Sequence, residues 1–78
     1  MEPIKVRSWA EYIYEHPDFT GCLSNSGNNI ACYENGKRHR EDGPAVEDLD
    51  GTKDWYLNGQ LHRENGPAIV YEDGTKEW

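Results

Sequence analysis

Asn35-Gly36-Lys37-Arg38-His39-Arg40-Glu41-Asp42-Gly43-Pro44-Ala45 returns further along the chain as Asn58-Gly59-Gln60-Leu61-His62-Arg63-Glu64-Asn65-Gly66-Pro67-Ala68. The match extends in both directions. Residues 32–54 align with 55–77 at a shift of 23, and 13 of the 23 positions are identical. Unrelated stretches of ordinary composition would share roughly one or two. Asp42/Asn65, Val46/Ile69 and Asp54/Glu77 are conservative swaps on top of that. A tandem duplication of this period reads as one supersecondary unit packed on its neighbour.

The unit is punctuated by turn chemistry. Asn-Gly at 35–36 and 58–59 suits a type I′ hairpin, whose two central residues need positive φ. Asp-Gly at 50–51 and 73–74 reads as the same signal. Gly-Pro at 43–44 and 66–67 fixes φ at the head of the next strand, where no ladder donor is lost. Between these turns lie runs at 30–34 or 53–57, 37–40 or 60–63, and 45–48 or 68–71, all too short for helix. The fold class predicted is mainly β, a single domain over 1–78 built as an antiparallel meander of hairpin repeats. Gly21-Cys22-Leu23 aligns with Pro44-Ala45-Val46, and Gly27-Asn28 falls near the Asp50-Gly51 position, so 19–31 reads as a degenerate half-repeat. Cys32, Trp55 and Trp78 share one slot, and Trp78 is expected to close the last hairpin against the sheet.

One stretch is helical. Ser8 and Glu11 have capping-box spacing, and Trp9, Tyr12, Ile13 and His16 then fall on one face before Pro17 stops the run. So short a helix needs the sheet to hold it, and 1–18 is read as a helical cap. Trp9 and Tyr12 are expected in the core, with an exposed docking patch as the alternative. The chain is at the size where a core is only just sufficient. Apolar content is 35%, which leans toward disorder, but three Trp, five Tyr and one Phe supply large buriable areas. A homodimer would help so thin a core.

The Asn-Gly-x-x-His spacing, followed by Gly and then Asp-Gly on a 23-residue period, resembles the MORN repeat family over residues 32–78. One departure stands: His39 and His62 are followed by Arg-Glu-Asp/Asn-Gly-Pro, where the family has Gly directly after His. The resemblance implies β-hairpins used to bind proteins or lipids, and no enzyme. Small proteins built on this Arg-Glu-Asp-Gly-Pro-Ala form occur in phages and large DNA viruses. The resemblance together with the charge therefore implies, in its sharpest form, a phage-encoded inhibitor of a host defence complex, such as an anti-CRISPR, acting in the host cytoplasm.

The formal charge is −7. Direct nucleic-acid binding through phosphate neutralisation is not expected. An acidic surface suits a protein partner with a basic groove, including a nucleic-acid-binding complex, while the plain alternative is that acidity keeps a small sheet soluble. No run of eighteen apolar residues suggests a membrane span, and the N-terminal residues do not read as a secretory signal, so a cytoplasmic protein is expected.

Candidate sites follow from the repeat. Cys22 falls in the Ala45/Ala68 slot and Cys32 in the Trp55/Trp78 slot, so both are expected as buried free thiols; a disulfide, or zinc with His16 and His39, are the weaker alternatives. No cofactor or metal is expected. His39-Arg40-Glu41 and His62-Arg63-Glu64 are the side chains a minimal nuclease or hydrolase would use. Both sets intact on so small a sheet read instead as structural, with His beside its Asn-Gly turn and Arg and Glu paired across strands. The repeat also lines up equivalent acids, Glu41 with Glu64 and Asp50 with Asp73. The second unit is the more apolar at four variable positions, Leu57, Leu61, Val70 and Tyr71. These eight residues are the partner-binding candidates, and the four apolar ones serve equally as core or dimer seam. A self-assembling edge-to-edge oligomer is a third functional alternative.

Overall fold

In a computed structural model, which describes residues 3–78, the 23-residue period of the sequence is also a period of hydrogen bonding. The strands are β1 (Ile4–Lys5), β2 (Gly21–Ser24), β3 (Ile30–Glu34), β4 (Lys37–Arg38), β5 (Val46–Glu47), β6 (Lys53–Asp54), β7 (Tyr56–Leu57), β8 (Gln60–Leu61), β9 (Ile69–Val70) and β10 (Lys76–Glu77), with one helix, α1 (Trp9–Glu15). The main sheet runs β1-β2-β3-β5-β6-β9-β10, with β4 attached to the far half of β3, and β7 and β8 form a separate hairpin.

Every pairing of the first unit has its counterpart in the second. Ala31 faces Val46 as Asp54 faces Ile69, Glu47 faces Lys53 as Val70 faces Lys76, and Tyr33 faces Arg38 as Tyr56 faces Leu61. Each unit is thus a forked strand. Its first half pairs with the arm that leads to Asp-Gly, and its second half turns back through Asn-Gly. Strands β6 and β7 are that forked strand interrupted at Trp55, whose N–H donates to Ala68 and whose carbonyl accepts from His62. Cys32 makes the same two bonds, donating to Ala45 and accepting from His39.

The turns follow their residues. Asn35 and Asn58 have φ of 52° and 54°, and Gly36 and Gly59 follow at 79° and 84°, as a type I′ turn requires. Asp-Gly differs from expectation. Only the glycine takes positive φ there, Gly51 N–H donates to Asp48, and Asp48 N–H donates to Thr52. This is the longer hairpin loop that ends in a left-handed residue. The pattern recurs upstream in residues 25–29, where Asn25 N–H donates to Asn29, Asn28 N–H donates to Asn25, and Asn28 takes φ of 62°.

Leu23, Ala31, Tyr33 and Val46 form the core on one face of the sheet, sealed by Val6, Trp9, Tyr12, Ile13, Phe19 and Tyr56. Leu23 is fully excluded from solvent, worth about 1.5–3 kcal/mol of transfer free energy. The helix starts where Ser8 Oγ accepts the Glu11 N–H and ends where the His16 N–H reaches the Tyr12 carbonyl. Trp9 and Tyr12 pack their rings against the core, as expected, while Tyr14 on the opposite side of the helix is exposed.

The expected mainly β, meander-like sheet with one short helix is observed, with β1 added parallel to β2 at its edge. Two further expectations are corrected. Trp78 is 85% exposed and closes nothing. The ring in the same slot one unit earlier, Trp55, is covered by the Arg63 guanidinium at 3.9 Å, and Trp78 has no such cover among the described residues. Finally, Cys22 and Cys32 are not free thiols but a disulfide. The two slots face each other across β2 and β3. Both backbone groups of Cys32 bond away from β2, so this is a non-hydrogen-bonded pair, the kind in which facing side chains come closest.

Candidate partner-binding surface

The His-Arg-Glu segments cross from each Asn-Gly hairpin to the next strand, and the two copies do different things. His39 lies almost buried, its side chain 12% exposed. Its Nδ1 accepts the Asn58 N–H at 2.9 Å, so Nε2 carries the proton that faces Glu34 Oε2 at 3.0 Å and Glu41 Oε1 at 3.6 Å. The imidazole therefore anchors the Asn-Gly turn of the following unit, where the sequence reading placed it beside its own. Arg38 C=O accepts from Gly59 N–H and Arg40 N–H donates to Tyr56, completing the junction. His62, the second copy, is exposed.

Among the described residues, Arg40 and Arg63 do not pair with glutamate across strands as expected. Arg40 Nε donates to Asp42 Oδ1 at 3.0 Å, within its own loop, and this holds the Asp42 carboxyl below the usual range. Arg63 lies over Trp55, and each arginine reaches back to a proline carbonyl, Arg40 to Pro44 and Arg63 to Pro67. A Cβ on Gly66 would stand 2.9 Å from the Arg63 guanidinium carbon, so a side chain there would displace the flexible arginine. His39 is thus bonded to a backbone amide, and both arginines are engaged within their own loops.

The eight candidate residues separate into groups. Asp50 and Asp73 each build their own turn, accepting the Thr52 and Thr75 N–H, and the Thr75 side chain first, then that backbone bond, lower the Asp73 carboxyl pKa. Glu41 and Glu64 stand exposed on adjacent crossing loops, and Glu41 lines both the depression beside His39 and the one bounded by Leu57, His62 and Arg63. The four apolar candidates do not form one patch. Val70 shares a row with Lys53 and Lys76, whereas Leu61 faces Tyr56, three residues beyond Lys53 and so on the opposite face. Leu57 and Val70 are half-buried; Leu61 and Tyr71 are exposed, with the Tyr71 hydroxyl donating to Glu77 at 2.6 Å. That bond raises the Tyr71 pKa.

The acidic surface is mostly unpaired. Among the described residues, ion pairs engage Glu11, Glu34, Glu41 and Asp42, and none lies in 55–78. Asp54 sits on the core side of the sheet between Val46 and Ile69. Partial burial first, then Asp48 and Glu77, raise its pKa. Sequence reasoning missed Arg38, which faces the rings of Trp9 and Tyr56 and explains why this position differs from Leu61. No described helix is long and apolar enough to cross a membrane, and no described group of His, Cys, Asp or Glu is arranged to hold a metal ion. Compared with known proteins, no family model matches the chain, and no curated protein or solved structure matches it.

Proposed function

We propose that this protein is a non-enzymatic binding module for another protein, one that presents a basic and partly apolar surface. The observation that carries the reading is the second unit: among the described residues Glu64, Glu72 and Asp73 stand exposed without ion-pair partners, and Leu61, Tyr71 and Trp78 of the same unit are exposed as well. A charged surface of this kind steers a complementary partner and fixes its orientation, while the apolar side chains supply burial once it docks. Kinship with the MORN repeats and the narrower role of a phage-encoded inhibitor working in a host cytoplasm belong to this same proposal, motivated by repeat pattern and charge. A basic nucleic-acid channel, which this protein would occupy, is the partner surface that best fits such acidity.

The test is capture from a host lysate with and without nuclease, by the wild-type chain and by the Glu64→Lys/Asp73→Lys variant. A stoichiometric protein retained after nuclease, and lost both at high salt and in the variant, is the expected result. Equal capture by the charge-reversed variant would refute the electrostatic reading.

A further inference from the structure

We propose that the outer edge of residues 61–63 is a docking site for a type I′ Asn-Gly β-hairpin on a different polypeptide. The argument comes from the repeat itself. In the first unit the corresponding edge, residues 38–40, is occupied, and its occupant is the hairpin of the second unit. Three hydrogen bonds hold it: Gly59 N–H to the Arg38 carbonyl at 2.8 Å, Asn58 N–H to His39 Nδ1 at 2.9 Å, and Arg40 N–H to the Tyr56 carbonyl at 3.1 Å.

Twenty-three residues on, the same three groups recur as the Leu61 carbonyl, the His62 ring and the Arg63 N–H. The local backbone is the same. Leu61 faces Tyr56 as Arg38 faces Tyr33, and His62 N–H is turned inward to Trp55 as His39 N–H is turned to Cys32. That alternation aims the Leu61 carbonyl and the Arg63 N–H outward, away from β7. Among the described residues neither finds a partner, and His62 and Leu61 are exposed. An edge bearing acceptor, acceptor and donor in this order is a template for strand addition, and the first unit shows the shape that fits it.

The occupant is not a second copy of this chain, because both Asn-Gly turns of a copy are already engaged. Asn58-Gly59 docks on the first unit as described. Asn35-Gly36 docks on the segment after the helix, with Gly36 N–H on the Phe19 carbonyl and Asn35 N–H on Thr20 Oγ1. A Cβ on Gly36 would overlap the Pro17 carbonyl oxygen, so that turn is closely covered. The partner that fits is another β-repeat chain whose Asn-Gly hairpin is uncovered. Glycine is required in it for the same reason as at Gly59, which takes φ of 84° against the Lys37 side chain.

This inference rests on reading the protein as a binding module but uses the main-chain groups of the 61–63 edge and the His62 ring in place of the exposed acids. The probe is a backbone-cyclised peptide carrying Tyr-Leu-Asn-Gly-Gln-Leu, first shown by NMR to fold as a hairpin, titrated into the isotope-labelled full chain. The expected result is saturable shifts at the Leu61, His62 and Arg63 amides. His62→Ala, and separately N-methylation of the peptide asparagine, should each weaken binding by about fivefold, the loss of one net hydrogen bond. No binding of the folded hairpin at millimolar concentration, or shifts confined to another surface, would overturn the proposal. Dimers of the chain alone in native mass spectrometry, abolished by Arg63→Pro, would also overturn it by placing a second copy on the edge. If lysate capture persists and depends on Glu64 and Asp73 while the hairpin fails, only this inference falls.

Discussion

Opening the Cys22–Cys32 bond should cost this protein a large share of its stability. The cysteines are separated by 10 residues, and closing a loop of that length lowers the entropy of the unfolded chain by an amount equivalent to about 2.7 kcal/mol at 25 °C. A chain of 78 residues has a total stability of about 4–12 kcal/mol. For a domain this size each kcal/mol moves Tm by about 4–8 °C, so reduction should lower Tm by about 11–22 °C. The bond also ties β2 to β3, the pair that contributes Leu23, Ala31 and Tyr33 to the core, so its loss is felt where the few buried side chains are. Calorimetry of the oxidised chain, the chain reduced with a phosphine, and the Cys22→Ala/Cys32→Ala variant would measure the effect. Alkylation in denaturant, read by mass, reports the redox state of each sample. A Tm unchanged by verified reduction would refute the reasoning, as would a freshly purified chain that takes up two alkyl groups without reductant.

The two histidines should behave differently despite their identical sequence surroundings. His39→Ala removes a nearly buried ring together with its bond to the Asn58 N–H and should cost about 1–3 kcal/mol in urea unfolding, whereas exposed His62→Ala should fall within about 0.5 kcal/mol of wild type. Gly36→Ala and Gly74→Ala both force positive φ on a side chain, but Gly74 opens onto free space while Gly36 abuts the Pro17 carbonyl. The Gly74 change should cost about 1–2 kcal/mol and the Gly36 change clearly more; equal losses would mean the 17–20 segment is not packed as described. Asp54 has a pKa raised in the fold, so its ionisation opposes folding as pH rises through that value, and the contribution is favourable only below the unfolded carboxyl pKa. Asp54→Asn should therefore raise Tm at neutral pH, with the gain vanishing near about pH 3. A gain that persists at low pH would assign the effect to packing instead.

Much of this fold is legible in the sequence because turns are local chemistry. Asn-Gly and Asp-Gly specify where the chain reverses, and a shift of 23 residues then fixes which strands repeat. Ser8 and Glu11 mark the helix start for the same reason. What stays hidden depends on pairs distant in sequence. Ile4-Lys5 carries no signal that it will lie parallel to β2, since that pairing uses only main-chain groups. The repeat alignment assigns Cys22 and Cys32 to apolar slots, yet only the register shows that those slots face each other. His39 looks like a companion of its own turn until the stacking of units brings the next Asn-Gly onto its ring. Likewise, the apolar choices Leu57, Leu61, Val70 and Tyr71 look like one patch in a list of variable positions, and strand alternation divides them.

Arg38 has a consequence for how the molecule comes apart. Its guanidinium lies 5.9 Å from the Trp9 ring of the helix and 5.4 Å from the Tyr56 ring of the second unit, with a hydrogen bond to the Tyr56 hydroxyl. Repeat arrays ordinarily pass strain only from each unit to the next, and can lose terminal units one at a time. Here one side chain in the first unit grips the element before it and the element after it, and Tyr56 itself packs on the core that the helix seals. Fraying of the β7–β8 hairpin therefore loosens the helix as well. The chain should melt as one cooperative body, with amides of the helix and of the second unit exchanging on a common clock.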